Sequence, residues 1–309
     1  MTDALVLEGI TKRFGNFTAV DDFSLRMPAG QVLGFLGPNG AGKTTTLRMV
    51  MSIIYPDAGR ITVLDHPNAA EVKDRIGYLP EERGLYRKMT VQETLRYFGR
   101  LKGLRGPGLR QRVDEYLERI GLADWKRKRV ETLSKGMSQK LQFIAAILHQ
   151  PELVILDEPF SGLDPLNVDM LERLLGDLRR RGTTVVFSTH QMSQAERMCD
   201  LIVLINRGRK VIEGTLNEVR ARFATHFVML DGEGDLEALR QLGGVANAQI
   251  TSGHARLELA DGIDPNVVLQ AALEKMRIAR FEVQRPDLQE IFVKLVSGDG
   301  KTPHGADQE

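Results

Sequence analysis

The nine residues Gly37–Thr45, GPNGAGKTT, decide how this chain folds. They follow a short apolar run with β character, Val32–Leu36, and lead into Lys43–Ser52, whose apolar residues have helical spacing. This strand–loop–helix arrangement satisfies the P-loop pattern G-x-x-x-x-G-K-[ST]. Glycines let the loop turn its N–H groups toward an anion, and the N-terminus of the following helix favours negative charge. The stretch therefore predicts a site for the phosphates of a nucleotide.

Two side chains of this loop are expected to have different roles in binding the nucleotide. Lys43 is expected to reach the β- and γ-phosphates, and the Thr44 hydroxyl is expected to coordinate Mg²⁺. The loop residues predicted to bind the nucleotide are Gly37, Asn39, Gly40, Ala41, Gly42, Lys43, Thr44 and Thr45.

A second apolar run, Leu153–Leu156, ends in two acids and a proline. An acid at the carboxyl end of a buried strand, beside a P-loop, suits a role with Mg²⁺, which we assign to Asp157. The adjacent Glu158 can polarise the attacking water as a general base. A strand that ends in a single acid is often followed by no more than a solvated acidic turn. Two acids in a chain that also has a P-loop favour a catalytic role instead.

Short apolar runs alternate with helical patterns over the first two thirds of the chain. Buried parallel strands are predicted at Leu153–Leu156, Thr184–Ser188 and Leu201–Ile205, with helices at Asn167–Arg180 and Gln191–Met198. This repeated order predicts a doubly wound α/β core. Antiparallel strands on one side of that core are predicted at Leu5–Ile10, Phe17–Val20 and Ile61–Val63.

The block Thr90–Ile147 is predicted to be helical throughout, with breaks at Gly103–Gly108 and at Gly121. It carries a basic cluster, Lys126–Arg129, which raises the question of nucleic acid. Because Trp125 alone stands beside the cluster as a stacking aromatic, a solvated helix end or loop is the favoured interpretation.

The pattern changes after about residue 220. Residues 221–309 hold 9 Lys+Arg and 14 Asp+Glu and carry −5, whereas residues 1–220 carry +6. The predicted order is βαββαβ plus a closing helix, which is typical of a ferredoxin-like α+β domain. Its strands are Phe227–Leu230, Ala248–Thr251, Ala255–Leu259 and Phe281–Val283, and its helices are Leu236–Leu242, Asn266–Met276 and Asp287–Leu295. We expect a nucleotide-binding domain at 1–220, an accessory domain at 221–297 and a disordered tail at 298–309.

Composition argues against several classes of protein. With 42 Lys+Arg against 41 Asp+Glu, a general polyanion binder is disfavoured, and no nucleic-acid partner is expected. A single cysteine, Cys199, excludes an intrachain disulfide and fits a reducing compartment. No apolar run reaches the roughly 18 to 20 residues of a membrane helix, and the N-terminal residues lack a signal-peptide pattern. These observations predict a cytoplasmic protein.

Taken in order, the motifs of the first two thirds of the chain resemble the ATP-binding subunit of an ABC transporter. Leu133–Met137, LSKGM, is similar to the signature sequence of that family, and Ser161–Asp164 is similar to its D-loop. His190 resembles the switch histidine, and Phe14 resembles the aromatic residue that stacks on adenine. The resemblance implies an ABC-type ATPase domain with a RecA-like core, an antiparallel β side and a helical subdomain at about 90–147. It also implies ATP as the nucleotide and Mg²⁺ as its ion.

The signature departs from the family pattern at two positions. Lys135 and Met137 stand where relatives usually carry glycine and glutamine. Ser134 and Gly136 are retained, and the resemblance implies that they contact the nucleotide bound to an opposing subunit.

The Q-loop of the family is similar to Gly77–Glu81, but Glu81 stands where many relatives carry glutamine. Either side chain can offer an oxygen to Mg²⁺. We predict Glu81 as a metal ligand beside Thr44 and Asp157, with Glu82 as the alternative.

The resemblance further implies a head-to-tail dimer of two such chains, expected to be a homodimer with ATP. The nucleotide at Lys43 of one chain would be capped by Ser134 and Gly136 of the other. Glu158 would activate water, and His190 would contact the γ-phosphate and report its presence. Most of the catalysis would come from positioning and electrostatic stabilisation.

Closure and opening of that dimer would drive a separately encoded membrane permease, which would hold the chain at the inner face of the cell membrane. Arg83–Glu93, with apolar residues among charges, is the predicted contact with the permease; an ordinary loop leading into a helix is the alternative. The accessory domain and its ending, Pro286–Phe292, are similar to ATPases of ABC-2-type exporters, including the sodium-export and antibiotic-resistance subfamilies.

Two other functions stay open on the sequence alone. One is an ABC protein acting on ribosomes or DNA without a permease; such proteins usually carry two nucleotide domains or long coiled coils. The other is a regulatory nucleotide-binding P-loop protein, which the altered signature and Glu81 slightly favour. The regulatory protein is disfavoured by the presence of Lys43, Asp157, Glu158 and His190.

Overall fold

The computed structural model describes residues 2–82, 84–223, 227–260, 262–284 and 286–297. It divides into two compact units, Met1–Thr215 and a second unit that begins at Leu216. The tail expected at 298–309 lies outside the described residues.

The first unit combines two sheets with a group of helices. Its strands are β1 (Asp3–Phe14), β2 (Phe17–Pro28), β3 (Val32–Leu36), β4 (Ala58–Val63), β5 (Ile76–Leu79), β6 (Leu153–Leu156), β7 (Thr184–Thr189), β8 (Leu201–Asn206) and β9 (Arg209–Gly214). Its helices are α1 (Lys43–Val50), α2 (Val91–Leu101), α3 (Gly106–Arg119), α4 (Lys135–Ile147), α5 (Pro165–Arg180) and α6 (Met192–Met198). The α/β core, the antiparallel side and the helical subdomain are all present, so the predicted fold class is confirmed.

The central sheet has the strand order β5-β6-β7-β3-β8-β9. All neighbours are parallel except β8 and β9. Strands β3, β6 and β7 are buried along their whole length, as expected for apolar parallel strands covered on both faces. Since the carboxyl ends of parallel strands share one edge, the P-loop after β3, the acids after β6 and His190 after β7 emerge on the same side of the sheet.

The second sheet is antiparallel, with the order β2-β1-β4. Its buried residues form one apolar cluster with residues of the central sheet and α1. Within this cluster the rings of Phe23 on β2 and Phe35 on β3 lie 5.4 Å apart. This packing fixes the strand that leads into the P-loop against a second layer.

The helical block contains α2, α3 and α4, whose buried residues share a second apolar cluster with β6 and β7. Thr90 and Glu93 form a capping box that starts α2. The break predicted at Gly103–Gly108 is shorter than expected, because α3 already begins at Gly106. Pro107 in its first turn explains this, since proline is preorganised for a helix start and its missing N–H has no helical partner there.

The basic cluster Lys126–Arg129 forms a turn beside the start of α2. The carbonyl oxygens of Lys126 and Lys128 accept hydrogen bonds from the N–H groups of Gln92 and Val91 at 3.1 and 3.0 Å. The cluster therefore lies in the connection between α3 and α4, where its backbone contacts the start of α2, in agreement with the interpretation as a loop.

The second unit contains α7 (Leu216–Ala221), β10 (Phe227–Gly234), β11 (Val245–Thr251), β12 (His254–Leu259), α8 (Pro265–Leu273), β13 (Met276–Gln284) and α9 (Leu288–Ser297). Its four strands pair in the order β11-β12-β10-β13, and every pair is antiparallel. This is the arrangement of two interleaved βαβ units, so the predicted ferredoxin-like pattern is confirmed.

Two predicted helices of this unit differ from the structure. The helix expected at Leu236–Leu242 is a short 3₁₀ helix, Glu237–Gln241. The glycine pair that follows leaves too few residues for a stable α-helix. The helix expected to reach Met276 ends at Leu273, because Met276 pairs with Gly234 and begins β13.

No helix in the described part of the chain is both long and apolar enough to cross a lipid bilayer.

Candidate active site

The P-loop connects β3 to α1, and its glycines have conformations that other residues rarely adopt. Gly40 and Gly42 have φ angles of 78° and 106°. A Cβ on Gly42 would lie 2.5 Å from the carbonyl oxygen of Ala19, and one on Gly37 would lie 2.3 Å from that of Ile205. Both distances are too short for a side chain, so close packing as well as backbone conformation requires glycine here.

The ammonium group of Lys43 lies inside this loop. The side chain is 6% exposed, and Nζ donates to the carbonyl oxygens of Gly37 at 2.8 Å and Pro38 at 3.1 Å. Oε1 of Glu158 lies 3.5 Å from the same nitrogen. A buried cation held by carbonyls and one carboxylate is positioned to exchange carbonyl partners for phosphate oxygens.

A cavity of about 290 Å³ opens over the loop. Its lining residues are Phe17, Ala19, Asn39, Gly40, Gly42, Lys43, Thr44, Thr45, Glu81 and Glu158. The structure thus brings six of the eight predicted loop residues and two predicted acids to one cavity. The other two loop residues, Gly37 and Ala41, are buried in the base of the loop.

Asp157 is fully buried at the end of β6. Its Oδ1 accepts a hydrogen bond of 2.6 Å from the Ser188 hydroxyl, while Oδ2 has no hydrogen-bond partner among the described residues. A buried carboxylate oxygen without a partner carries a large desolvation penalty. Such an oxygen beside a phosphate cradle suits a divalent cation, directly or through a water.

Glu158 is held by Ser188 on β7 and by His190, which directly follows that strand. Its φ of 48° is rare for a residue with a side chain, and its N–H donates to the Ser188 hydroxyl at 2.9 Å. Nδ1 of His190 lies 3.1 and 3.0 Å from the two carboxylate oxygens of Glu158. The carboxylate therefore lies between the Lys43 ammonium and the His190 ring, on the wall of the cavity.

Tyr78 on β5 is a neighbour of the site that sequence reasoning missed. Burial, and secondly the negative charge of Asp157, raise the pKa of Tyr78, while Arg48 beside it acts in the opposite direction. The phenol therefore stays protonated at neutral pH. No pattern in the sequence distinguishes Tyr78 from an ordinary strand residue.

The aromatic residue that lines the cavity is Phe17 rather than Phe14, among the residues that the structure describes. The two face each other as Cα partners at the tip of the β1–β2 hairpin, and their exposed fractions are 51% for Phe14 and 62% for Phe17. Nζ of Lys12 lies 5.6 Å from the Phe14 ring centre. Phe17 could have been considered as the adenine contact from the sequence, because it is three residues from Phe14, across the turn.

The two candidate Q-loop acids have different surroundings. Glu81 lines the cavity together with Thr44 and Glu158. Glu82 is tied by its backbone, since its carbonyl oxygen accepts a hydrogen bond of 3.2 Å from Nε2 of Gln142. The geometry favours Glu81 over Glu82 as the metal-binding acid.

The signature residues lie at the start of α4. Ser134 is the N-cap, and its Oγ accepts a hydrogen bond of 3.2 Å from the N–H of Met137. Ser134 is exposed and Gly136 is half-buried, and neither is among the described residues that line the cavity.

The parallel sheet, the loop after its central strand and the acids beside that loop define a P-loop nucleotide-binding domain. The ABC transporter family model matches residues 20–161, and the model of the DrrA1-3-like ATP-binding protein C-terminal domain matches residues 214–296. Together with the relatives below, these matches show that the chain belongs to the ATP-binding proteins of ABC transporters. Proteins of this family bind ATP and hydrolyse it, and this chain is therefore an ATPase.

Similar proteins match nearly the whole chain. The ABC transporter ATP-binding protein YhaQ of Bacillus subtilis is 39% identical over 292 residues, 94% of this chain and 98% of that protein. The daunorubicin resistance ATP-binding protein DrrA3 of Streptomyces coeruleorubidus is 35% identical over 319 aligned positions, which cover 98% of this chain and 99% of that protein. A solved structure of an ATP-binding subunit of an ABC transporter has a TM-score of 0.67 at 30% identity, covering 71% of this chain and 93% of that one.

Proposed function

We propose that this chain is the ATP-hydrolysing subunit that energises a separately encoded membrane permease, in an exporter of the ABC-2 type. The observation that carries the hydrolytic part is the position of the Glu158 carboxylate. It lies 3.5 Å from the Lys43 ammonium and 3.0 Å from the His190 ring, on the wall of the P-loop cavity.

In this proposal Glu158 is the general base. Its carboxylate accepts a proton from the attacking water as the new P–O bond forms and the bond to the ADP oxygen breaks. Lys43 and the N–H groups of the loop stabilise the charge that develops on the phosphoryl oxygens. His190 orients the carboxylate through Nδ1 and would offer its other ring nitrogen to the γ-phosphate.

Magnesium is proposed as the ion, held by the Thr44 hydroxyl, Asp157 and Glu81. It would neutralise charge on the β- and γ-phosphate oxygens. The buried Oδ2 of Asp157 supports this assignment, because it has no partner among the described residues. No group of three or more His, Cys, Asp or Glu side chains in the described ranges could hold a metal alone, so the phosphates would complete the ligand set.

A head-to-tail homodimer is proposed to complete the site. Ser134 and Gly136 of one chain would cap the nucleotide bound at Lys43 of the other. Their location at the exposed start of α4, outside the cavity of their own chain, supports this arrangement. The N-terminus of a helix is suited to an anionic γ-phosphate.

The permease is proposed to dock in a groove beside the Q-loop, here called the α2 groove. This groove has a volume of about 320 Å³ and a mainly apolar lining. Its lining residues are Met51, Lys73, Ile76, Tyr78, Pro80, Gly84, Leu85, Phe98, Leu101, Lys102, Gln142, Ala145, Ala146 and His149. It contains part of the predicted contact segment 83–93, of which Arg83 lies outside the described residues. An exposed apolar residue at its rim, Leu101, is 59% exposed and suits a buried partner helix.

Export is proposed as the direction of transport. The DrrA-like C-terminal domain and the similarity to a daunorubicin resistance protein support it. A transporter subunit that confers resistance to a drug acts most simply by removing that drug from the cell. The cytoplasmic position at the membrane follows from docking on the permease.

The test of this function is co-expression and co-purification with a multi-span membrane protein encoded by a neighbouring open reading frame. We expect a stable complex with ATPase activity. Leu101→Asp should lose the complex while hydrolysis by the chain alone is unchanged, since Leu101 lies in the α2 groove and not in the cavity. Val267→Asp, a similarly exposed position on α8, should retain the complex. A complex that still forms with Leu101→Asp would rule out the α2 groove as the docking site. Failure of the wild-type chain to form a complex would contradict the proposed coupling to a permease.

A further inference from the structure

Helix α4 carries two buried amides one turn apart. Gln139 is 7% exposed and Gln142 is 6% exposed, in a helix whose other buried residues are mostly apolar. A buried amide destabilises a protein unless its hydrogen bonds are satisfied. The partners of these two side chains are therefore informative.

Gln139 holds the segment that carries the general base. Its Nε2 donates to the carbonyl oxygen of Pro159 at 3.1 Å. Pro159 directly follows Glu158, whose rare φ of 48° persists only if surrounding contacts fix it. The Ser188 hydroxyl accepts a hydrogen bond from the N–H of Glu158, and Gln139 donates to the carbonyl of the next residue, Pro159. The Glu158 backbone is thus held from β7 and from α4.

Gln142 holds the segment that carries the second acid. Its Nε2 donates to the carbonyl oxygens of Pro80 at 3.5 Å and Glu82 at 3.2 Å, while its Oε1 has no hydrogen-bond partner among the described residues. These two residues flank Glu81, which lines the nucleotide cavity. One helix therefore contacts the backbone beside both acids of the cavity through two amides on the same face.

We propose that Gln139 and Gln142 are positioning residues for ATP hydrolysis, which set the Glu158 and Glu81 backbones through α4. The same helix begins at Ser134. Capping a partner's nucleotide at that end would therefore align the two acids in the chain's own cavity and link the two sites of a dimer. The link between sites rests on the proposed head-to-tail dimer, whereas the positioning of Glu158 within one chain does not.

Lys140 supplies a matched control on the same helix. It is 9% exposed, and its Nζ donates to the carbonyl oxygen of Ile120 at 2.9 Å, at the end of α3. Replacing Lys140 removes a buried polar contact of α4 without touching either acidic segment. The kcat of a Lys140 variant therefore shows how much hydrolysis suffers when α4 loses a buried hydrogen bond that does not involve either acid.

The experiment compares Gln139→Met, Gln142→Met and Lys140→Met in the full chain. Methionine has the length of glutamine and is one atom shorter than lysine, and it removes the donor in each case. We expect Gln139→Met to lower kcat about tenfold, while the Kd for ATP changes less than about twofold, since the P-loop contacts remain. Gln142→Met should show the same split with a smaller kcat effect. Lys140→Met should lower the melting temperature at least as much and keep kcat within about twofold of the wild type.

The proposal is overturned if Gln139→Met hydrolyses ATP at the wild-type kcat, or if Lys140→Met loses as much kcat as Gln139→Met. Should Gln139→Met not fold, Gln139→Glu replaces it. A protonated carboxyl can donate to Pro159 and an ionised one cannot, so its kcat relative to wild type should rise as pH falls from 8 to 6. A flat ratio would also overturn the proposal.

The dimer is tested separately by light scattering with ATP in a Glu158→Gln background. Absence of an ATP-dependent dimer in Glu158→Gln contradicts the proposed dimer and the link between the two sites. It leaves the kcat comparison for Gln139 valid. Loss of that dimer in the double variant with Gln139→Met, but not with Lys140→Met, is expected if α4 links the two sites.

Discussion

At the residue scale, the site depends on a few groups whose surroundings are unusual. Glu158 has a left-handed backbone conformation, Asp157 has a buried oxygen without a described partner, and the Lys43 ammonium is held by backbone carbonyls. The sequence alone could predict the identity of these residues, because a P-loop and a strand ending in acids are local patterns. The backbone conformation of Glu158 and its contact with Gln139 depend on residues distant in sequence, so no local pattern reveals them.

The adenine contact gives a prediction at this scale. Because Phe17 lines the cavity and Phe14 does not, Phe17→Ala should weaken ATP binding about tenfold, which corresponds to roughly 1.4 kcal/mol and lies in the usual range for base stacking. Phe14→Ala is the matched control and should change the Kd less than about threefold. The measurement is the Kd for ATP by calorimetry. A larger effect for Phe14→Ala than for Phe17→Ala would instead support Phe14 as the adenine contact, as predicted from the sequence.

At the element scale, the sequence was informative where apolar runs are uninterrupted. Strands β3, β6, β7 and β8 were predicted because both of their faces are apolar. Strand β5 was missed because a glycine interrupts its apolar run, whereas β6, of the same length, is apolar throughout. Strand β9 was missed because charged residues interrupt its pattern. Both lie at the edges of the central sheet. Edge strands need fewer apolar residues, so their sequences carry a weaker signal.

A pH prediction belongs to the contact between the end of α4 and β5. His149 follows that helix, and its Nε2 donates to the carbonyl oxygen of Ile76 at 3.1 Å. Burial, and secondly the nearby Lys102, lower the pKa of His149 to about 4. Its unfolded-state pKa is about 6.5, so the unfolded chain binds this proton first as the pH falls. Stability is therefore lost between about pH 6.5 and pH 4.

This contribution should amount to about 2 kcal/mol, after allowance for the part of the ring that solvent screens. His149→Gln can still donate to Ile76 and has no proton to gain. We expect the variant to lose less unfolding free energy than the wild type between pH 7 and pH 4.5, measured by urea unfolding. Equal losses in both proteins would show that His149 does not carry this pH dependence.

At the scale of the whole molecule, the nearly neutral net charge conceals two parts of opposite charge, +6 over residues 1–220 and −5 over the remainder. The first part carries the complete cavity, and the second carries a ferredoxin-like fold with its own apolar core. The sequence could predict both folds from their order of strands and helices. It could not predict the α2 groove, because that groove is formed by residues from four separate stretches of the chain.

The central claim is that ATP is hydrolysed at this cavity with Glu158 as the base. The most direct measurement is the turnover of Glu158→Gln, together with its Kd for ATP and its mass in solution with ATP. Turnover should fall at least about 100-fold, in line with the loss of a general base. ATP binding should remain, and an ATP-bound dimer should accumulate, whereas Lys43→Ala should lose the binding itself. Hydrolysis by Glu158→Gln at the wild-type rate would contradict the account.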